Sequence, residues 1–232
     1  MIRAAVFDLD HTLFDRYKTF QKITEIVPKE MSPFETGVPP KELAAAWEAA
    51  ERELYYLGHD AIAYRLKCEG YIKKDVSTTD IYRNYFRKMF KLAAVPFDFA
   101  DAALNEIRAM GVKTALITNG PADIQQIKLD FLNYTHRFDA QIFCDDITVA
   151  RKPSAEPFLK MAKMLQIQPF EALYIGDNPY NDIIPSAKAG YTPVWVKTIG
   201  VWPKDCGKKP EYSVNTVAEI PKLIKTINGG KL

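Results

Sequence analysis

Residues Val6–Leu13 read Val-Phe-Asp-Leu-Asp-His-Thr-Leu, an apolar run that ends in two carboxylates, Asp8 and Asp10, two positions apart. The run from Ile2 to Phe7 has the composition of a buried β-strand. Strand side chains alternate faces, so Asp8 and Asp10 point the same way if the strand continues. Two like charges at the end of an apolar element are costly unless something positive lies between them. A hard divalent cation is the simplest remedy, because Mg2+ favours oxygen ligands and is often held by one or two carboxylates. The same pair could equally end the strand in a solvated turn, and these residues alone do not separate the two readings.

Working outward, the 232-residue chain is 47% hydrophobic and 26% charged, ordinary values for a globular protein of one large or two smaller domains. Its 31 basic and 29 acidic residues nearly cancel, so bulk charge makes no case for nucleic acid or a membrane surface. Cys68, Cys144 and Cys206 are scattered and odd in number, which suits a reducing compartment rather than a disulfide framework. The first apolar run is broken by Arg3 and ends in acids, unlike a signal peptide, and no apolar stretch approaches the roughly 20 residues of a membrane span. The expectation is a soluble cytoplasmic protein.

From about Asp15 to Lys91 the pattern is helical. Pro39-Pro40 precedes Leu43, Trp47, Leu54 and Leu57 at helical spacings, with Gly58 as the stop. A second helix fits Ala61–Glu69 before Gly70, and a third fits Thr79–Leu92, with Ile81, Tyr85, Phe86, Met89 and Phe90 as its stripe. Beyond Val95 strands and helices alternate. Helices fit Phe99–Met110, Pro121–Leu132, Ala155–Leu165 and Pro179–Ala189. Strands fit Lys113–Thr118, Ala140–Cys144, Ala172–Ile175 and Thr192–Val196. Such alternation implies an α/β protein with a parallel sheet and helices on both faces. The first strand joins that sheet, so the helical segment is an insertion: a core of residues 1–15 and 94–232 with a mostly helical domain of residues 16–93. The tail with Gly229 and Gly230 is expected to fray.

Ligands of such sheets bind beyond the carboxyl ends of the strands, so the residues there decide the chemistry. After the second strand comes Thr118-Asn119-Gly120-Pro121, a hydroxyl, an amide and free N–H groups at a helix start, which suits an anion. Thr118 could also be a simple cap. Arg151-Lys152-Pro153 follows the third strand and the acids Asp145 and Asp146; within a shared site Lys152 would be a point charge for phosphate or carboxylate. The fourth strand runs into Gly176-Asp177, with Asn181-Asp182 just inside the next helix. Asp177 would add to a cation site of Asp8 and Asp10; alternatively it is a turn residue and Asp182 a favourable first-turn charge.

Taken together, Asp8-Leu9-Asp10-His11-Thr12, Thr118-Asn119, Lys152-Pro153 and Gly176-Asp177 through Asn181-Asp182 resemble the four motifs of the haloacid dehalogenase-like hydrolase superfamily. Their spacing is similar too: 110 positions from Asp8 to Thr118, 34 on to Lys152 and 25 on to Asp177. The helical insertion resembles the cap that one large subgroup carries after the first motif. His11 stands where the family more often has Gly. The resemblance implies a Rossmann-like core, Mg2+ and an aspartyl-phosphate intermediate. It implies Asp8 as nucleophile and Asp10 as general acid, then base. It places the metal on Asp8, the backbone carbonyl of Asp10, and Asp177. The phosphoryl oxygens fall to Thr118, Asn119 and Lys152, and Asp182 stands behind them, orienting Lys152 or a metal-bound water.

The expected activity is hydrolysis of a small phosphorylated metabolite. Dehalogenases of the superfamily lack an acid at the place of Asp10, since halide needs no leaving-group proton. A phosphomutase would share the core and differ in the cap, where Arg52, His59, Arg65 and Lys67 are polar candidates or solvated helix faces. A silent binding module would not need the intact acid pair. Trp47, Tyr55, Tyr56, Tyr64 and Tyr85 are expected as cap core more than as pocket lining, and Trp202–Pro210, with Lys204, Lys208 and Lys209, as a solvated loop near the core. Substrate and oligomeric state are not legible from these patterns.

Overall fold

In the computed structural model β1 spans Ala4–Phe7, and all four side chains are buried. A strand covered on both faces shows no polar alternation, which is why this run reads as continuous apolar sequence. The structure describes residues 1–26, 32–54, 57, 59–81, 85, 89–90, 92–198, 200 and 202–229. They divide into two units, Met1–Asp15 with Pro96–Leu232, and Arg16–Val95.

The inserted unit contains α1 (Arg16–Ile26), α2 (Pro40–Leu54) and α3 (His59–Cys68). Leu43, Trp47 and Ala50 form the buried stripe of α2, and Trp47 stacks on Phe20 of α1 with ring centres 4.6 Å apart. Phe34 packs edge-on against Phe20 and Tyr85, at 5.8 and 5.5 Å. Trp47 and Tyr85 are therefore core, whereas Tyr64 is exposed. Arg16 of α1 pairs with the fully buried Glu51 of α2 at 3.2 Å. Of the polar cap candidates, Arg52 pairs with Glu48, Arg65 with Glu53 and Glu69, and Lys67 donates to the Val76 carbonyl. Among the described residues the unit has no strand, only the isolated bridge of Phe34 with Ile72. Tyr55, Tyr56, Gly58 and Phe86, with most of the expected Thr79–Leu92 helix, lie outside the described residues.

The core unit adds α4 (Ala100–Ala109), β2 (Lys113–Asn119), α5 (Ala122–Phe131), β3 (Ala140–Cys144), α6 (Glu156–Leu165), β4 (Ala172–Gly176), α7 (Ile184–Lys188), β5 (Thr192–Val196), β6 (Tyr212–Val214) and α8 (Ile220–Ile227). The strands form one parallel sheet in the order β3-β2-β1-β4-β5-β6 among the described residues. Strand order therefore reverses at β1: the chain steps outward to β2 and β3, then returns to lay β4 on the other side. An α/β sheet binds its ligand at such a reversal. Phe7 is level with Leu116 of β2 and Ile175 of β4, so Asp8, Thr118 and Asp177 leave three neighbouring strands at the same edge.

Four details depart from the sequence reading. The expected helix Pro179–Ala189 splits into a wide turn at Pro179–Ile183 and the short α7. Pro185 has no N–H to give to the preceding turn and its ring crowds the carbonyl four residues back, which opens the helix there. In the loop Trp202–Pro210 the lysines Lys204, Lys208 and Lys209 are exposed, but Trp202 itself is buried, 5.3 Å from Trp195 edge-on, and donates to the Gly207 carbonyl. The three-residue β6 is too short to leave a periodic signal. Finally, α8 buries Ile220 and Ile224, and Asn228 exchanges two hydrogen bonds with Ile2, which ties the end of the chain down as far as that residue. Gly230 lies outside the described residues.

Candidate active site

At the end of β1 the chain turns sharply. The N–H groups of Thr12, Leu13 and Phe14 all reach the Leu9 carbonyl, and His11 N–H donates to Phe14 O. His11 adopts φ +60°, a left-handed conformation that Gly takes freely and His tolerates better than most residues. That requirement accounts for Gly being the commoner residue there.

Asp8 meets Lys152 beneath this turn. Lys152 Nζ lies 2.7 Å from Asp8 Oδ1, 2.6 Å from Asp182 Oδ1 and 2.9 Å from Tyr174 Oη. It also donates to the Ile117 carbonyl at 3.2 Å. Tyr174 donates on to Asp182 at 3.2 Å. All four side chains are buried. Asp177 completes the group: Asp8, Asp177 and Asp182 each present an oxygen, and the three lie within 4.8 Å of one another. Trp195 Nε1 donates to the Asp177 carbonyl at 3.0 Å, fixing that loop from β5. Gly176 is required for close approach, since a Cβ there would stand 2.6 Å from Cβ, Cγ and Oδ2 of Asp182.

The electrostatics follow from burial. Burial pushes the Asp8 carboxyl up to about 7, against the pull of Lys152 and with the push of Asp182 and Asp10. Burial, then the charges of Asp182 and Asp8, holds Asp177 well above the ordinary carboxylate range. Burial disfavours the Lys152 ammonium, but the Asp182 and Asp8 carboxylates outweigh it and hold it well above its usual value. Three buried carboxylates thus share the charge of one lysine. An all-oxygen set in need of positive charge fits Mg2+ in donor type and in sign.

The other residues singled out in the sequence take different places. Thr118 is buried, and its Oγ1 accepts from Gln125 Nε2 at 3.1 Å; the hydroxyl proton is then left to donate elsewhere. The Asn119 side chain is committed to the lysine loop, donating to Lys152 O and accepting from Lys152 N, both at 2.9 Å. It braces Lys152. The Asp10 carboxylate lies outside the acid group and faces Lys128, whose Nζ is 2.8 and 2.9 Å from its two oxygens. Lys128, Tyr174 and Gln125 were not singled out from sequence. Lys128 and Gln125 sit one helical turn apart on α5, the spacing of a shared face, which is the one signal that links them. Cys144, at the end of β3, has its thiol pushed up to about 11 by burial, and Cys68, Cys144 and Cys206 are all free.

Residues 5–196 match the family model of haloacid dehalogenase-like hydrolases, and the chain belongs to that family. It is 26% identical to PpaX of Clostridium perfringens, which carries a provisional pyrophosphatase name, over 98% of this chain and all of that one. It is 25% identical to the glyceraldehyde 3-phosphate phosphatase of Methanopyrus kandleri, over 98% and 99% of the two chains. In fold it is similar to the L-2-haloacid dehalogenase of Xanthobacter autotrophicus, with a TM-score of 0.69, 20% identity and coverage of 97% and 99%. Among the described residues no helix is long and apolar enough to cross a membrane.

Proposed function

We propose that this enzyme is a Mg2+-dependent phosphatase that hydrolyses a small phosphomonoester through an aspartyl-phosphate on Asp8. The observation that carries the reading is the second carboxylate, Asp10, held by its own lysine apart from the acid group around Lys152. Displacing halide needs no proton, whereas expelling an alkoxide does, so a dehalogenase has no use for an acid in this position.

Asp8 attacks phosphorus as the P–O bond to the leaving group breaks, and Asp10 delivers a proton to the departing alkoxide. Asp10 then takes a proton from water as that water attacks the phosphoryl group, releasing inorganic phosphate and restoring Asp8. Lys152 and the Thr118 hydroxyl donate to the phosphoryl oxygens as charge shifts among them. Asn119 and Asp182 keep Lys152 in place. Asp8 and Asp177, with the main chain of Asp10, would hold the Mg2+, which when bound supplies positive charge that lets a carboxylate approach a phosphate dianion. Names of relatives such as glyceraldehyde 3-phosphate phosphatase support a small phosphorylated metabolite as substrate.

The purified chain should hydrolyse p-nitrophenyl phosphate with Mg2+ and stop when EDTA removes it. Asp8→Asn should lose at least about 1,000-fold in kcat, as loss of a covalent nucleophile does. An Asp8→Asn variant with unchanged turnover would sink the reading. A panel of phosphorylated metabolites then identifies the substrate.

A further inference from the structure

We propose that Lys128 is the positioning residue for Asp10, holding its ionised carboxylate from both oxygens so that it is in place to take the proton from the attacking water; this rests on the proton-transfer role given to Asp10 above. Three observations converge on it. The first is the contact: Lys128 Nζ reaches both Asp10 oxygens, at 2.8 and 2.9 Å. A side chain held at both oxygens loses the freedom to rotate that an aspartate in a turn otherwise keeps.

The second is burial. The Lys128 side chain is 1% exposed and that of Asp10 17%. Lysine is almost never buried so completely unless it is paired. The ammonium is thus wholly enclosed while Asp10 keeps some exposure, so of the two it is Asp10 that a substrate can reach. Lys128 is placed to act on substrate through Asp10, not by touching it.

The third is the seat. Residues 9–14 form the tight turn described above, and an isolated bridge sets Asp10 beside Phe14. Lys128 Nζ lies 5.1 Å from the centre of the Phe14 ring, a cation–π distance. The turn thus offers the ammonium a carboxylate and a ring face together, and one lysine of α5 locks both. One turn earlier on α5, Gln125 holds Thr118, so the same helix face serves two groups of the site. Lys152 and Lys128, both buried, divide the work: Lys152 serves Asp8 and Asp182, and Lys128 serves Asp10.

The test is a double-mutant cycle on the full chain with Mg2+, using Lys128→Met, Lys128→Arg, Asp10→Asn and the double variant. Lys128→Met should lower kcat for p-nitrophenyl phosphate roughly 10- to 100-fold, the scale of a misplaced catalytic group, and move KM less than about threefold. Lys128→Arg, which keeps the charge and protects against a folding failure, should retain more of kcat than Lys128→Met. In the Asp10→Asn background Lys128→Met should add less than a further twofold loss, because its effect passes through Asp10. Multiplying losses, or a Lys128→Met enzyme within twofold of the parent, overturns the proposal. Should the parent itself turn over no phosphate ester, the phosphatase reading fails by itself. The clamp is then read from urea midpoints of the same four proteins, where non-additive shifts support it and additive shifts overturn it.

Discussion

The Lys152 ammonium lies 2.6 Å from Asp182 Oδ1, with both side chains at 2% exposure or less, although 30 residues separate them in sequence. Removing one partner of a buried ion pair leaves the other charge uncompensated, which costs about 3–5 kcal/mol. Lys152 keeps Asp8 as a second partner, so Asp182→Asn should destabilise the protein by about 3 kcal/mol, the low end of that range. Urea unfolding measures it. The same variant should slow phosphatase turnover, since Lys152 loses one of its anchors.

The raised carboxyls give stability a pH dependence. Asp8 titrates near 7 in the fold against about 3.9 in an unfolded chain, and Asp177 is raised as well. Between those values the folded state binds more protons, so as far as these groups are concerned metal-free protein should be most stable below about pH 4 and lose stability steadily as pH rises toward 7. Mg2+ requires the ionised carboxylates, so its stabilisation should grow over the same interval. Thermal melts at pH 6 and pH 8, with Mg2+ and with EDTA, read both effects. A larger Mg2+ shift at pH 6 would contradict the account.

Tyr174→Phe removes a hydroxyl that accepts from Lys152 at 2.9 Å and donates to Asp182 at 3.2 Å, and leaves the ring in place. A hydrogen bond to a charged group contributes about 1.5–3 kcal/mol. The variant should therefore fall by about 2 kcal/mol in urea unfolding, with a fall in kcat exceeding any change in KM.

Gly176→Ala drives a Cβ to within 2.6 Å of three Asp182 atoms, whereas a Cβ at Gly200 meets nothing within 4 Å among the described residues. Overpacking a rigid site costs about 1–3 kcal/mol. Gly176→Ala should show that loss and reduced turnover, and Gly200→Ala should stay within about 0.5 kcal/mol of the parent. Equal behaviour of the two variants would mean that Asp182 yields.

The legible part of the site was the part that ends strands. Asp8, Thr118 and Asp177 each follow an apolar run, and a parallel sheet gathers such positions at one edge, while Lys152 comes from the loop after β3. Lys128 was illegible because an amphipathic helix carries lysines on its solvated face as a rule, and its partner Asp10 lies 118 residues away. Nothing in the residues around Tyr174 distinguishes an aromatic whose hydroxyl has buried partners from one that only fills space. The break at Pro185 and the committed amide of Asn119 were likewise matters of neighbours, not of pattern.

By itself, the sequence determined the alternation of strands and helices, the insertion after the first motif and the acids at the strand ends, because apolar periodicity and local turn chemistry are properties of consecutive residues. Only the tertiary structure decided how the charges are partnered. It set Lys152 between Asp8 and Asp182, turned Asp10 toward Lys128, and committed Asn119 to the lysine loop. The physical reason is that a buried charge is stabilised by whichever groups the fold brings within about 3 Å, and contacts of that range join residues the chain keeps far apart.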